Sequence, residues 1–330
     1  MMRPSVWAER LLTTGHRWGR TLRRDWAGMT PAAIRTALDT LARLNPGPAS
    51  VRFEMCTVSG VPVAAVTAGD APSLGRIVLA HGGGFAFGSP RTHRAFAAHL
   101  ALESGWEVWL PDYPLTPESP FPAAVDALRR VWDAAPRQEL CCVVAGDSAG
   151  GNLATALVQR LLHEGMPVPD ALLLFSPWLD LARDSESNRL NLEALSPFDR
   201  SDMETYGALY AGAVPFEDPR VSPLRGSVAG FPPVFIESSE VEYLRPDAQA
   251  FVAVLKQAGV AVEERTEAFA LHGWQLFPDL LPEAQRSVQA VGEFLRRLQP
   301  AAASRATVRR GNASARSSSV KVSGGAKRTA

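Results

Sequence analysis

The stretch that most constrains this chain runs from Val143 to Asn152, Val-Val-Ala-Gly-Asp-Ser-Ala-Gly-Gly-Asn. An apolar run from Cys141 to Ala145 leads into Gly146-x-Ser148-x-Gly150, and a helical pattern follows from Asn152. Strand, tight turn and helix in that order form a nucleophile elbow, which lifts a serine hydroxyl clear of the backbone. A side chain at 146 or 150 would collide with the neighbouring strand or helix, so glycine stands at both. The pentapeptide alone arises by chance in roughly one chain in ten of this length at average Gly and Ser frequencies. Its setting therefore carries the reading.

That setting is a regular alternation of strands and helices. Strands are expected at about 51–57 and 61–66, with Ser59-Gly60 as the turn between them, and at Arg76–Ala80. A helix at 92–103, a strand Trp106–Leu110, a helix 122–134, the elbow strand 140–145, a helix 152–164 and a strand Ala171–Phe175 follow. Residues 183–225 interrupt the pattern, and strand Val234–Ser238, helix 247–258, strand Ala261–Thr266 and helix 283–298 restore it. The alternation predicts an α/β fold, a mostly parallel sheet of about eight strands with helices on both faces. Upstream, Trp7, Leu11 and Leu12, then Ile34, Leu38, Leu41 and Leu44 after Pro31, mark helices that no strand ties to the sheet. Residues 1–48 are thus expected to be an N-terminal helical cap segment. Residues 49–298 form the α/β domain, with a cap insertion at about 183–225 over the C-terminal edge of the sheet. Residues 299–330, rich in Ala, Ser and Arg, lack large apolar groups and are expected to be a disordered basic tail.

Composition narrows the partners. Hydrophobic residues make up 46% of the chain, enough for a large core. Formal net charge is zero, but residues 301–330 hold seven basic and no acidic side chains, which leaves the body at −7. A slightly acidic body gives no footing for nucleic acid. Three cysteines, Cys56, Cys141 and Cys142, cannot build a disulfide framework, and no apolar run approaches the ~18 residues of a membrane span. A cytoplasmic protein without stable membrane insertion is the expectation. The Arg-rich N-terminus has no continuous apolar segment, and Glu9 and Asp25 favour a surface helix over a transit peptide.

Three features beyond the elbow carry chemistry. His81-Gly82-Gly83-Gly84 follows the third strand, and consecutive glycines let backbone N–H groups converge on one point, as an oxyanion hole requires. Gly83, Gly84 and the N–H of Ala149 are the candidate donors, with His81, Gly82 and Asp147 supporting them. His272, in Leu271-His272-Gly273-Trp274, falls in the loop after the last strand, where the base belongs in a chain order of Ser, acid, His. His16, His93, His99 and His163 lie on predicted helices, where an exposed or capping role is expected. For the acid, Ser239 to Asp247 offers three carboxylates. Glu240 reads as a solvated loop residue, Asp247 as an N-cap before Ala248, and Glu242 as the favoured partner of the imidazole.

Six ordered blocks now carry a family resemblance over most of residues 50–298. They are His81-Gly-Gly-Gly84, Gly88-Ser-Pro-Arg-Thr-His-Arg94, Asp112-Tyr113, Pro117-Glu-Ser-Pro-Phe-Pro-Ala-Ala124, Gly146-Asp-Ser-Ala-Gly-Gly-Asn152 and Asp218-Pro-Arg-Val-Ser-Pro223. Together the blocks make the chain similar to the bacterial hormone-sensitive-lipase-like esterases, α/β-hydrolases with a helical cap. The resemblance implies a Ser-acid-His hydrolase of short- to medium-chain acyl esters, with a small-molecule ester substrate and no metal or organic cofactor. Its cap would combine the N-terminal helices with the 183–225 insertion, and a homodimer is left open. The family's Asp-Tyr-Arg-Leu-Ala-Pro-Glu reads here Asp112-Tyr-Pro-Leu-Thr-Pro-Glu118, and its acid, usually Asp in Asp-Pro-Leu-Arg-Asp, is replaced by Glu242-Tyr-Leu-Arg-Pro246. Counting back from the Gly259-Val260 turn and from His272 puts the acid position at Glu242. Its extra methylene shifts the carboxylate by about one bond, for which the loop has to compensate. The alternatives are a deacetylase or lactonase of a small natural product or sterol-like ester, and a non-catalytic small-molecule binder, against which His272 argues. Trp7, Trp18, Phe198, Tyr206 and Tyr210 are expected first as ordinary cap packing, with lining of the substrate pocket as their alternative role.

Overall fold

A computed structural model describes residues 29–70, 73–135, 140–182 and 200–298. Eight strands form one sheet: β1 (Val51–Val58), β2 (Val61–Ala68), β3 (Gly75–Ala80), β4 (Glu107–Pro111), β5 (Cys141–Asp147), β6 (Leu172–Phe175), β7 (Val234–Ser239) and β8 (Val262–Glu267). Their spatial order is β1-β2-β4-β3-β5-β6-β7-β8. β2 runs antiparallel to both its neighbours, and every other pairing is parallel. Parallel pairing needs a crossover between strands, and the helices expected from sequence supply it.

The apolar residues of the central strands alternate between two cores, because successive side chains on a strand point to opposite faces. Val78, Ala80, Val144, Leu172, Leu174 and Ile236 pack under helices α3 (Ala123–Asp133), α4 (Ala149–His163) and α6 (Arg245–Gln257). Ile77, Leu79, Val143, Ala145, Leu173 and Phe235 pack under α2 (Arg94–Ser104) and under α7, at 282–298. Covering both faces lets these strands be continuously apolar, which explains why their sequences show no polar alternation.

Among the described residues, two helices lie outside this three-layer frame. α1 (Pro31–Leu41) starts with Thr30, whose hydroxyl accepts the Ala33 N–H at 3.3 Å, and has Pro31 in its first turn. The stripe expected on it is only partly buried. Ile34 and Leu38, in the first turns, pack on Ala86 and Phe87, whereas Leu41 and Leu44 at the C-terminal end are exposed. Arg35 pins those turns through its Nε to the Ala86 carbonyl at 2.8 Å and through Nη2 to Glu118 at 2.8 Å. α5 (Arg200–Ala211) comes from the 183–225 segment, and its Tyr206 meets the ring of Phe87 edge-on at 5.1 Å. The expectations for Trp7, Leu11, Leu12, His16, Trp18, Phe198 and the 299–330 tail fall outside the described residues.

The elbow helix begins earlier than its sequence pattern suggests. α4 starts at Ala149, directly after the serine, rather than at Asn152. Glycine is a poor helix former, so Gly150 and Gly151 look like loop; packing overrides that propensity. A Cβ added at Gly150 would lie 2.0 Å from the carbonyl oxygen of Ala80 on β3. Gly150→Ala is therefore expected to destabilise the fold by about 1–3 kcal/mol through overpacking. Urea unfolding measures this, and an unchanged midpoint would show that helix and strand do not approach so closely.

Candidate active site

Ser148 stands between β5 and α4 with φ 51° and ψ −121°, a left-handed backbone that a residue with a side chain adopts only when its surroundings hold it there. They do so through the main chain. Ser148 N–H donates to the Phe175 carbonyl at 2.9 Å, and Trp178 N–H donates to the Ser148 carbonyl at 3.0 Å. The hydroxyl emerges at the N-terminus of α4, where unpaired N–H groups and the helix dipole favour developing negative charge.

The loop after β8 brings His272 to that hydroxyl. Its Nε2 lies 2.9 Å from Ser148 Oγ, and its Nδ1 lies 2.8 Å from Oε2 of Glu242. The second Glu242 oxygen accepts the Ser239 N–H at 2.7 Å, and the carboxylate is fully buried. The turn after β7 thus folds back on itself and absorbs the longer glutamate side chain. Ser148, His272 and Glu242 come together; Glu240 and Asp247 do not join them. Glu240 is exposed, as expected of a loop residue. Asp247 departs from its expected capping role: it is wholly buried in the first turn of α6, and its Oδ2 accepts N–H groups from Leu179 at 2.9 Å and Asp180 at 3.0 Å. It anchors the segment after β6 instead of capping its own helix.

The glycine loop sits across from these groups. Gly83 (φ 123°) and Gly84 (φ 59°) have positive φ, and a Cβ at Gly83 would lie 2.5 Å from the Phe87 carbonyl oxygen. Gly84, Ser148 and His272 line one small cavity, closed by Trp178, Met203, Tyr206, Tyr243 and Leu244. Of the aromatic candidates for a pocket, Tyr206 lines this cavity, whereas Tyr210 is buried behind it, stacked on Phe85 with ring centroids 3.7 Å apart.

A buried polar network fixes the glycine loop from below. Gly82 N–H donates to Asp147 Oδ1 at 2.8 Å, and His93 Nε2 lies 3.0 Å from the same oxygen. Burial opposes the Asp147 charge, yet His93, with nearby His81 and His272, holds its carboxyl below the usual value. His81 is stacked on Tyr113 at 4.1 Å, and its Nδ1 lies 3.0 Å from the Gly82 carbonyl. Burial pushes its imidazole down to about 3, so it stays neutral at working pH and cannot serve as a base whose proton affinity is matched to that pH. His93 is the residue that sequence reasoning missed. It was expected to be exposed or capping, but it is buried just ahead of α2. The signal was its place in the Gly88–Arg94 block, not its helical neighbourhood.

A hydroxyl bonded to an imidazole, and that imidazole to a buried carboxylate, is the arrangement that lets a serine lose its proton as it attacks a carbonyl. Site and sheet together define an α/β-hydrolase. Residues 77–276 match the family model for the alpha/beta hydrolase fold. An esterase of Acinetobacter venetianus is 34% identical over 276 residues, covering 81% of this chain and 89% of that protein. An acetyl-hydrolase of Streptomyces hygroscopicus is 36% identical over 230 residues, covering 67% of this chain and 76% of that one. The crystal structure of an esterase from the bacterial hormone-sensitive lipase family superposes with a TM-score of 0.80 at 31% identity, covering 90% of this chain and all of that one. The chain belongs to this bacterial hormone-sensitive-lipase-like family of the alpha/beta hydrolase fold, and it is an ester hydrolase.

The network below the glycines makes a measurable demand. His93→Phe keeps a ring of similar size but leaves Asp147 buried without that partner, and should cost about 1–3 kcal/mol. Chemical denaturation reads the loss; full stability in that variant would remove His93 from the loop's support.

Proposed function

We propose that the chain is a serine carboxylester hydrolase acting on short- to medium-chain acyl esters. The observation that carries the reading is the continuous path from Ser148 Oγ through His272 to Glu242, with contacts of 2.9 and 2.8 Å. Ser148 Oγ attacks the ester carbonyl while His272 Nε2 takes its proton. Glu242 holds the Nδ1–H tautomer and stabilises the imidazolium. The oxyanion forms against the N–H groups of Gly83, Gly84 and Ala149, each donor in such sites being worth roughly 100- to 1000-fold in rate. His272 then protonates the leaving alcohol, and water, activated by the same imidazole, releases the acid.

The cap reading assigns α1 and α5 to the cover over this site, since Ile34, Leu38 and Tyr206 close on the Ala86-Phe87 end of the glycine loop. The small cavity between Trp178, Met203 and Tyr243 supports a short acyl group. Deacetylation of a small acetylated molecule is the second reading, favoured by that cavity and by the likeness to the Streptomyces acetyl-hydrolase. A cytoplasmic setting fits a chain with three cysteines, two of them adjacent. Among the described residues no helix is long and apolar enough to cross a membrane.

Ser148→Ala should abolish turnover of activated acetyl and butyryl esters with the unfolding midpoint unchanged; undiminished turnover would end the proposal. Glu242→Gln and Asp247→Asn separate the acid from its neighbour. Glu242→Gln should lose most of kcat, by analogy with other triads about 10,000-fold at the extreme. Asp247→Asn should act on stability first, and a silent Glu242→Gln would overturn the assignment.

A further inference from the structure

Glu237 is a buried carboxyl group inside the sheet that the reaction above does not use. It lies on β7, with Phe175 of β6 and Arg265 of β8 as register partners, and is 4% exposed. An apolar side chain would pack this strand at lower cost, since burying a carboxyl group is unfavourable unless its oxygens are bonded. Its bonds lead to two other elements. The Ser287 hydroxyl of α7 donates to Oε2, and Gln275 Nε2 lies 3.4 Å from the same oxygen. Gln275 is fully buried, stands three positions after His272, and its Oε1 has no hydrogen-bond partner among the described residues.

The segment between β8 and α7 that carries His272 has only the short 3-10 turn Trp274–Leu276 as regular structure. Side-chain tethers therefore set where the imidazole sits. Ala270 N–H donates to Ser239 Oγ at 3.1 Å, and Asn45 Nδ2 donates to the Leu276 carbonyl at 3.0 Å. Gln275 to Glu237 is the buried tether between these two. Like the Ser239 and Glu242 contacts, it ties the histidine loop to β7 and the turn that follows it.

We propose that Glu237 is a positioning residue for the hydrolysis: through Gln275 its carboxyl group holds the His272 loop so that the imidazole meets Ser148 and Glu242 together. The inference rests on reading His272 as the general base.

The charged surroundings of Glu237 are few. Arg265 Nε of β8 lies 3.8 Å from Oε1, and Glu267 on the same strand adds like charge. From α7, Arg286 is engaged by Glu267 at 2.9 Å and lies 3.8 Å from Glu283. From the end of β6, the Ser176 N–H donates to the main-chain carbonyl of Glu237 at 2.8 Å. Burial pushes the Glu237 carboxyl up to about 7, with Ser287, Gln275 and Arg265 pulling the other way. In the folded chain it keeps a proton that the unfolded chain loses near pH ~4.5, so its contribution to stability is complete below that pH and drains away as pH rises to about 7.

Steady-state kinetics of the full chain on an activated acetyl ester, with melting temperature followed from pH 4.5 to 8, test this. Gln275→Leu should lower kcat by about 10- to 100-fold through displacement of the base, with little change in KM. Glu237→Gln keeps both hydrogen bonds and should stay within about threefold of the wild type, with a flatter melting profile between pH ~4.5 and 7. Glu237→Asp keeps the acid but withdraws it from Gln275, and should be slower than Glu237→Gln. Wild-type kcat in Gln275→Leu, or Glu237→Gln slower than Glu237→Asp, would overturn the inference. Turnover surviving in Ser148→Ala would instead overturn the catalytic reading on which it rests.

Discussion

The backbone of Gly150 passes so close to β3 that a methyl group there would sit 2.0 Å from the Ala80 oxygen, and one at Gly146 would sit 2.2 Å from the Gly150 oxygen. Everything at the site depends on this contact. It lets helix α4 start one residue after Ser148, holds that residue at φ 51°, and aims the hydroxyl away from the sheet. The same closeness brings the glycine loop, which leaves β3 at Ala80, to the face of the serine. Nucleophile and oxyanion loop are thus positioned by one steric constraint, and the strain of the turn is held by two rigid elements rather than by a flexible loop.

The rest of the site is held by buried polar groups whose partners come from other parts of the chain. Asp147 ties the glycine loop to the elbow through Gly82 and His93. Asp247 reaches from α6 to the Leu179 and Asp180 amides and so fixes the segment after β6 that carries Trp178. Glu242 and Glu237 tie the histidine loop to β7. Buried networks of this kind rigidify a site, because breaking one of their hydrogen bonds in a low-dielectric interior is costly. The four carboxyl groups therefore do different work at one rim of the sheet, and only Glu242 meets the imidazole that faces Ser148.

Much of this is legible in the sequence, for reasons that differ from residue to residue. Strands flanked by helices announce themselves by apolar runs and turn residues, so the sheet and the chain order of Ser148, Glu242 and His272 can be read directly. The choice of Glu242 over Asp247 follows from the family resemblance, whose acid position falls at 242, and the turn at Ser239 shows how the longer side chain fits. What stays hidden depends on tertiary contact. The start of α4 is masked by glycines whose helical state is imposed by packing. His93 sits beside an alanine-rich helix, and nothing local reveals that Asp147, more than fifty positions away, closes on it. Asp247 looks like a cap because the Leu179 and Asp180 amides from which it accepts lie elsewhere in the chain. Glu237 does leave a trace, a lone carboxylate in the apolar run Val234–Ser238, but its partners at 275 and 287 appear only when the strand is folded.

The central claim is that His272 and Glu242 activate Ser148. A fluorophosphonate reacts with a serine in proportion to that activation, and mass spectrometry of the labelled chain locates it. The account predicts one phosphonyl group per chain, on Ser148, with labelling much slower in His272→Ala and Glu242→Gln. Labelling of another residue, or equal rates in wild type and both variants, would contradict it.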